Sequence, residues 1–211
     1  MTEKAPDNSK AVPVSQDVNE ILPNFLYLGS KSAVNEDTAK ALKLTGIVNC
    51  ADEVKKPDWV DAKGLKYIRF PLDDMAKDWE EVEAHWKKAI EFIDAQKKAN
   101  GRVLVHCVRG ANRSASTVVR YLMHTGKDGK SAVAHAKKCR KKVRPYPNFV
   151  AMLIEVEKRL GKDKGKATLD LLEYNVDWIC ELIGSTDRQR VKTTFLDCDQ
   201  DKNRTVQMLL G

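Results

Sequence analysis

Cys107 lies in the run His106-Cys107-Val108-Arg109-Gly110-Ala111-Asn112-Arg113-Ser114, which brings a thiol, a glycine, a guanidinium and a hydroxyl into one short loop. An ionised thiol is a strong nucleophile. The planar fork of Arg113 suits two phosphate oxygens. Gly110 permits a tight backbone path. If residues Val108 to Asn112 wrap round before a helix begins, their amide N–H groups converge on one anion, and the helix N-terminus adds partial positive charge. In that field Cys107 is expected as a thiolate, with Ser114 donating a hydrogen bond to the sulfur. The chemistry would be displacement at phosphorus by sulfur, with no metal and no cofactor required.

Such a loop needs a strand to deliver the sulfur and a helix to anchor the far end. Arg102-Val103-Leu104-Val105-His106 is a near-continuous apolar run, as in the middle of a sheet covered on both faces. Ser114 to His124 reads as a helix with Ala115, Val118 and Leu122 facing inward. Upstream, a helix is predicted over 37–44 and ended by Gly46. Strands are predicted at Ile47-Val48-Asn49-Cys50 and at 65–70, and a helix over 79–99. Helices over 130–142 and 147–160 follow. Strands alternating with helices imply an α/β layered domain.

Displacement also needs a proton for the leaving oxygen, from a carboxyl on a separate loop. Asp73, Asp74 and Asp78 follow the strand that ends at Phe70-Pro71, and Asp78 also suits the N-cap of the helix beginning near Trp79.

His-Cys-x5-Arg-Ser between a strand and a helix resembles the signature of the protein tyrosine phosphatase superfamily, and the short helical stretch after it is similar to the dual-specificity phosphatase family. Ile21-Leu22-Pro23-Asn24-Phe25-Leu26-Tyr27-Leu28-Gly29 and Lys141 to Phe149 look like landmarks of that family, so the resemblance covers about residues 21–160. It implies a protein tyrosine phosphatase-like α/β fold, with a central mixed, mostly parallel sheet flanked by helices. It implies hydrolysis of phosphotyrosine and phosphoserine/threonine in proteins through a phosphocysteine on Cys107. Arg113 and the loop from Val108 to Asn112 would hold phosphate, His106 would support the loop, and Ser114 would help the sulfur leave. The family places the acid three residues past the proline, here Asp74. Cys50 resembles a cysteine that pairs reversibly with the nucleophile in phosphatases of regenerating liver, and is a candidate redox partner; a small buried core residue is the other reading.

Residues 1–20 are polar and read as a disordered tail. Residues 161–166 read as a linker, and 161–211 as a helical extension ending in an acidic tail. Asp197 to Asn203 carries acids spaced as in a calcium loop, but Lys202 stands at the turn-glycine position and Met208 at the bidentate-glutamate position, so no calcium site is expected. The five cysteines form no CxxC pair, which argues against a disulfide framework or zinc site. With no long apolar run and no h-region at the N-terminus, the chain reads as a soluble cytoplasmic protein, with the nucleus as a further compartment.

The formal charge is +7, and residues 21–160 alone carry an excess of ten positive charges. That surplus, with Arg109 on the loop, suits anionic substrates. Asn112-Arg113 also resembles the pair in cysteine-dependent RNA 5′-triphosphatases. Those enzymes carry His where Arg109 stands and Thr where Ser114 stands, so a nucleic-acid end or another non-protein polyanion is the second reading. The basic run from Lys127 to Arg144 allows a third, a weakly catalytic phospho-binding scaffold for an acidic protein partner. Apolar residues on one face of that run favour a simple solvated helix face instead. Oligomeric state is not legible.

Overall fold

The apolar strand that precedes Cys107 is central, and both its faces are covered. In the computed structural model, which describes residues 15–160 and 165–211, the five strands are β1 (Val18–Leu22), β2 (Leu26–Gly29), β3 (Gly46–Asn49), β4 (Lys66–Arg69) and β5 (Val103–His106). They form one sheet in the order β1-β2-β5-β3-β4. β5 pairs in parallel with β2 and β3, and β3 with β4, while β1 pairs antiparallel with β2. All four residues of β5 are buried, as its apolar run requires. Val103 and Val105 enter the larger core; Leu104, pointing the other way, packs with Tyr27, Ala39 and Leu44.

Helices α1 (Glu36–Leu42), α2 (Trp59–Ala62), α3 (Trp79–Lys98), α4 (Arg113–His124), α5 (Gly129–Cys139) and α6 (Pro147–Leu160) surround this sheet. Val82, Trp86, Ala89 and Ile93 of α3 and Val118, Val119 and Leu122 of α4 are fully enclosed. Each such large side chain contributes roughly 1.5–3 kcal/mol relative to exposure, which fixes α4 and hence the end of the loop that precedes it.

Four local differences from the sequence expectations have clear causes. Residues 18–20 of the expected 1–20 tail belong to the ordered edge strand Val18–Leu22, its polar residues facing outward while Ile21 is buried; residues 1–14 of that tail lie outside the described residues. Helix α1 stops at Leu42 because Lys43 takes the left-handed conformation (φ 52°), so Gly46 opens β3 rather than ending the helix. Helix α5 stops at Cys139, three residues short of the expected end, and Arg140 turns away from it. The four-residue α2, after Pro57, was too short to leave a periodicity.

Beyond 161–164, which lie outside the described residues, come α7 (Leu171–Ile183), α8 (Arg188–Asp197) and α9 (Lys202–Leu210). Val176, Ile179, Val191 and Phe195 give these three helices a core of their own. The acids expected in a tail occupy the turn between α8 and α9, where Asp199 and Gln200 have φ 54° and 61° and Asp201 caps α9. Among the described residues no helix is long and apolar enough to cross a membrane.

Candidate active site

Four consecutive carbonyls of the loop after β5 are pulled outward. Val108 O accepts from the Lys31 N–H (3.1 Å) and Ala111 O from the Arg144 N–H (2.8 Å). Arg109 O and Gly110 O accept from the Arg140 guanidinium at 3.0 and 2.9 Å. In a planar trans peptide the C=O and the following N–H point in opposite directions. The N–H groups of Arg109, Gly110, Ala111 and Asn112 therefore face into the ring. The Gly110 N–H lies 3.2 Å from the Cys107 sulfur, and the Ser114 hydroxyl donates to the same sulfur at 3.1 Å. The sulfur is thus held by two donors inside a ring of amides.

Gly110 has φ +67°, and a Cβ there would stand 2.4 Å from Gly29 O. Only glycine fits where the loop crosses the end of β2.

Arg140 is the residue that sequence reasoning missed here. Counted within a solvated basic run, it is in fact buried beneath the loop. It is held from the far side by Asp17 Oδ1 (2.7 Å) and Asn19 Oδ1 (2.8 Å). Burial opposes the charge on Asp17, but hydrogen bonds from Ser30, Lys142 and Arg140 outweigh it and hold the carboxyl well below its usual range. The expected tail thus supplies the counter-ion for the brace. Arg109 itself is exposed at the rim.

Arg113 is buried, and its donors can be counted. Nη1 donates to Glu53 Oε2 (2.7 Å) and to Leu72 O (3.2 Å), and Nη2 donates to Glu53 Oε1 (2.7 Å). A guanidinium has five N–H bonds. The two not so used, Nε–H and the second Nη2–H, are parallel in the planar group and form its other fork. Asp74 Oδ1 lies 2.9 Å from Nε, close enough for an ion pair but off the N–H direction. Burial alone would lower the pKa of Arg113; the Glu53 pair, Asp74 and Cys107 more than compensate and raise it. Pairing with Arg113 holds the Glu53 carboxyl down at about 2. Glu53 carried no motif and was not singled out in the sequence. It sets which edge of the guanidinium faces the cleft.

The three candidate acids separate cleanly. Asp73 caps its own turn, accepting from the Met75 N–H at 2.6 Å, and Asp78 caps α3. Asp74 faces Arg113 and also accepts from Asn112 Nδ2 at 2.9 Å. Asn112, grouped in the sequence with the expected phosphate-binding residues, thus contributes a side chain that ties the loop after β5 to the loop that carries Asp74. Its Oδ1 in turn accepts from the Tyr146 N–H at 2.6 Å.

His106 is fully enclosed, and burial pushes its pKa down to about 4. It therefore packs as a neutral ring. Between its ordinary value of 6.5 and about 4 the unfolded chain takes up a proton that the folded chain refuses. Stability present above the higher value is lost as pH falls through the lower one. His106→Asn should flatten the fall of Tm from pH 6.5 to pH 4 by roughly 5 °C or more. Unchanged slopes in calorimetry at several pH values would show that the ring does not remain neutral.

Cys50 follows β3, its N–H donating to His106 O at 2.8 Å. Burial pushes its thiol up to about 12, and the thiol lies 3.5 Å from Thr117 Oγ1. It follows the strand that lies beside β5, as expected, but as a protonated thiol. Among the described residues no cluster of His, Cys, Asp or Glu could hold a metal ion.

This geometry has counterparts. Residues 26–159 match the model of the dual specificity phosphatase catalytic domain. The chain belongs to the dual-specificity phosphatase family. Dual specificity protein phosphatase 8 of Mus musculus is 34% identical over 146 residues, which is 68% of this chain and 21% of that protein. A probable rhodanese domain-containing dual specificity protein phosphatase of Dictyostelium discoideum is 37% identical over 144 residues, 67% of this chain and 29% of that protein. The chain thus spans a fifth to under a third of these relatives. Human DUSP28 superposes with a TM-score of 0.61 at 29% identity, covering 71% of this chain and 99% of that one. A mouse putative dual specificity phosphatase complexed with zinc tungstate gives 0.63 at 26% identity, covering 74% and 94%. The dual-specificity phosphatase domain accounts for β2 to α6; α7–α9 lie outside the matched residues.

Proposed function

We propose that this chain is a cysteine-dependent dual-specificity protein phosphatase acting on phosphorylated protein side chains. The observation that best supports this is the Cys107 sulfur under a ring of inward amides, beside an arginine edge with two donors to spare. The phosphoryl oxygens take the free fork of Arg113 and the loop amides, and the sulfur attacks phosphorus in line. An oxygen arriving at Nε displaces the Asp74 carboxylate from its ion pair and sets it beside a second negative charge. Asp74 then protonates the leaving oxygen. In the second half, Asp74 takes a proton from water, which attacks the phosphocysteine while the Ser114 hydroxyl stabilises the departing sulfur.

The cleft is walled by Glu53, Asp73 and Asp74 as well as Arg113. Those carboxylates suit one phosphate on a side chain and repel a chain of several, despite Arg109 at the rim. Phosphotyrosine and phosphothreonine peptides should both lose phosphate, while 5′-triphosphorylated RNA should not. Preferential hydrolysis of the RNA in side-by-side phosphate-release assays would reverse the substrate assignment.

A further inference from the structure

We propose that the three-helix unit α7–α9 is a positioning element for the acid loop, acting through Tyr174, Trp178 and Arg144. The proposal rests on the phosphatase reading above. The unit is clamped to the catalytic core where Leu169 and Tyr174 enter the main hydrophobic cluster and the Thr168 and Leu169 N–H groups donate to buried Glu157. Its second clamp bears on the segment from Arg144 to Tyr146. The Tyr174 hydroxyl donates to Pro145 O at 2.6 Å. The Arg144 guanidinium stacks over the Trp178 ring, 4.5 Å from its centroid, and donates to Trp178 O at 2.5 Å.

The residues held from that side brace the site on the other. The Arg144 N–H bonds to Ala111 O, and the Tyr146 N–H holds Asn112 Oδ1, whose amide group holds Asp74. Asn148, two residues on, donates to Ala76 O at 2.9 Å and lies 3.5 Å from Asp74 O. A continuous path of hydrogen bonds therefore runs from α7 to the acid loop. The phosphate ring has independent braces in Lys31 and Arg140. The orientation of Asn112, by contrast, depends on Tyr146. Loosening α7 should therefore misplace the acid more than the nucleophile.

The test compares turnover of phenyl phosphate, whose poor leaving group needs the acid, with that of a fluorinated methylumbelliferyl phosphate, whose good one does not. In the full chain, Trp178→Ala should lower kcat on phenyl phosphate roughly tenfold, since small displacements of a positioned group cost that much or more. On the activated ester kcat should stay within about twofold, because little acid catalysis is needed there. Trp178→Phe, which keeps a ring for Arg144, should restore most of the loss. In an Asp74→Asn background Trp178→Ala should cost nothing further, as expected for two residues acting through one group. Should Trp178→Ala fail to fold, Tyr174→Phe removes a single oxygen and carries the same comparison with a smaller loss. Equal losses on both substrates, or additive losses with Asp74→Asn, overturn the proposal. No turnover of either ester by the unmodified chain overturns the phosphatase reading itself and the proposal with it.

Discussion

Cys107→Ser should lower kcat on phenyl phosphate by about 10⁴-fold or more, since the covalent route is lost as a whole rather than weakened. The physical cause is the atom. A hydroxyl in the same place stays protonated at neutral pH and offers no ionised lone pair to phosphorus. The ring around it should survive, because the outward pull on its carbonyls comes from Lys31, Arg140 and Arg144 and involves no contact with the sulfur. Affinity for inorganic phosphate, measured by calorimetry, should therefore be kept or improved. Turnover within tenfold of the unmodified chain would remove Cys107 from the chemistry.

Asp74→Asn should be the second largest loss. A positioned general acid is worth about 10²–10⁴-fold, and the loss should grow with the basicity of the leaving group. A series of aryl phosphates should give a steep dependence of log kcat on leaving-group basicity in the variant and a shallow one in the unmodified chain. Binding should change little, because asparagine can still occupy the place beside Asn112. Equal slopes would mean that the proton comes from elsewhere, and Asp73 and Asp78 are poor substitutes because both carboxylates already cap backbone N–H groups.

The parts of this site that lie together in the chain were legible in the sequence. Residues 102–124 form strand, loop and helix without interruption, so residue types and spacing carry their own geometry. The place of Asp74 beside Arg113 agrees with the family offset from Pro71; composition alone left three carboxylates. The braces were not legible, because each depends on a meeting of distant segments. Asp17 looked like part of a polar tail until Arg140, more than a hundred residues away, paired with it. Arg140 looked like one more charge in a basic run because periodicity extended α5 past the residue where it turns inward. Glu53 sits in a polar loop after β3, and nothing local says that its carboxylate takes one fork of Arg113 and leaves the other. β4, half-exposed at the sheet edge, and the buried β3 and β5 all followed their patterns, while β1 was hidden by its polar outward face.

The most direct test follows the phosphoryl group itself. The enzyme is mixed with radiolabelled phosphotyrosine peptide, quenched in acid within the first turnover, digested and mapped. The label should appear on the peptide containing Cys107, through a bond cleaved by iodine as a phosphorus–sulfur bond is, and should be absent from the Cys107→Ser protein. Label on Ser114 or His106, or a burst of product with no labelled peptide, would contradict a phosphocysteine route.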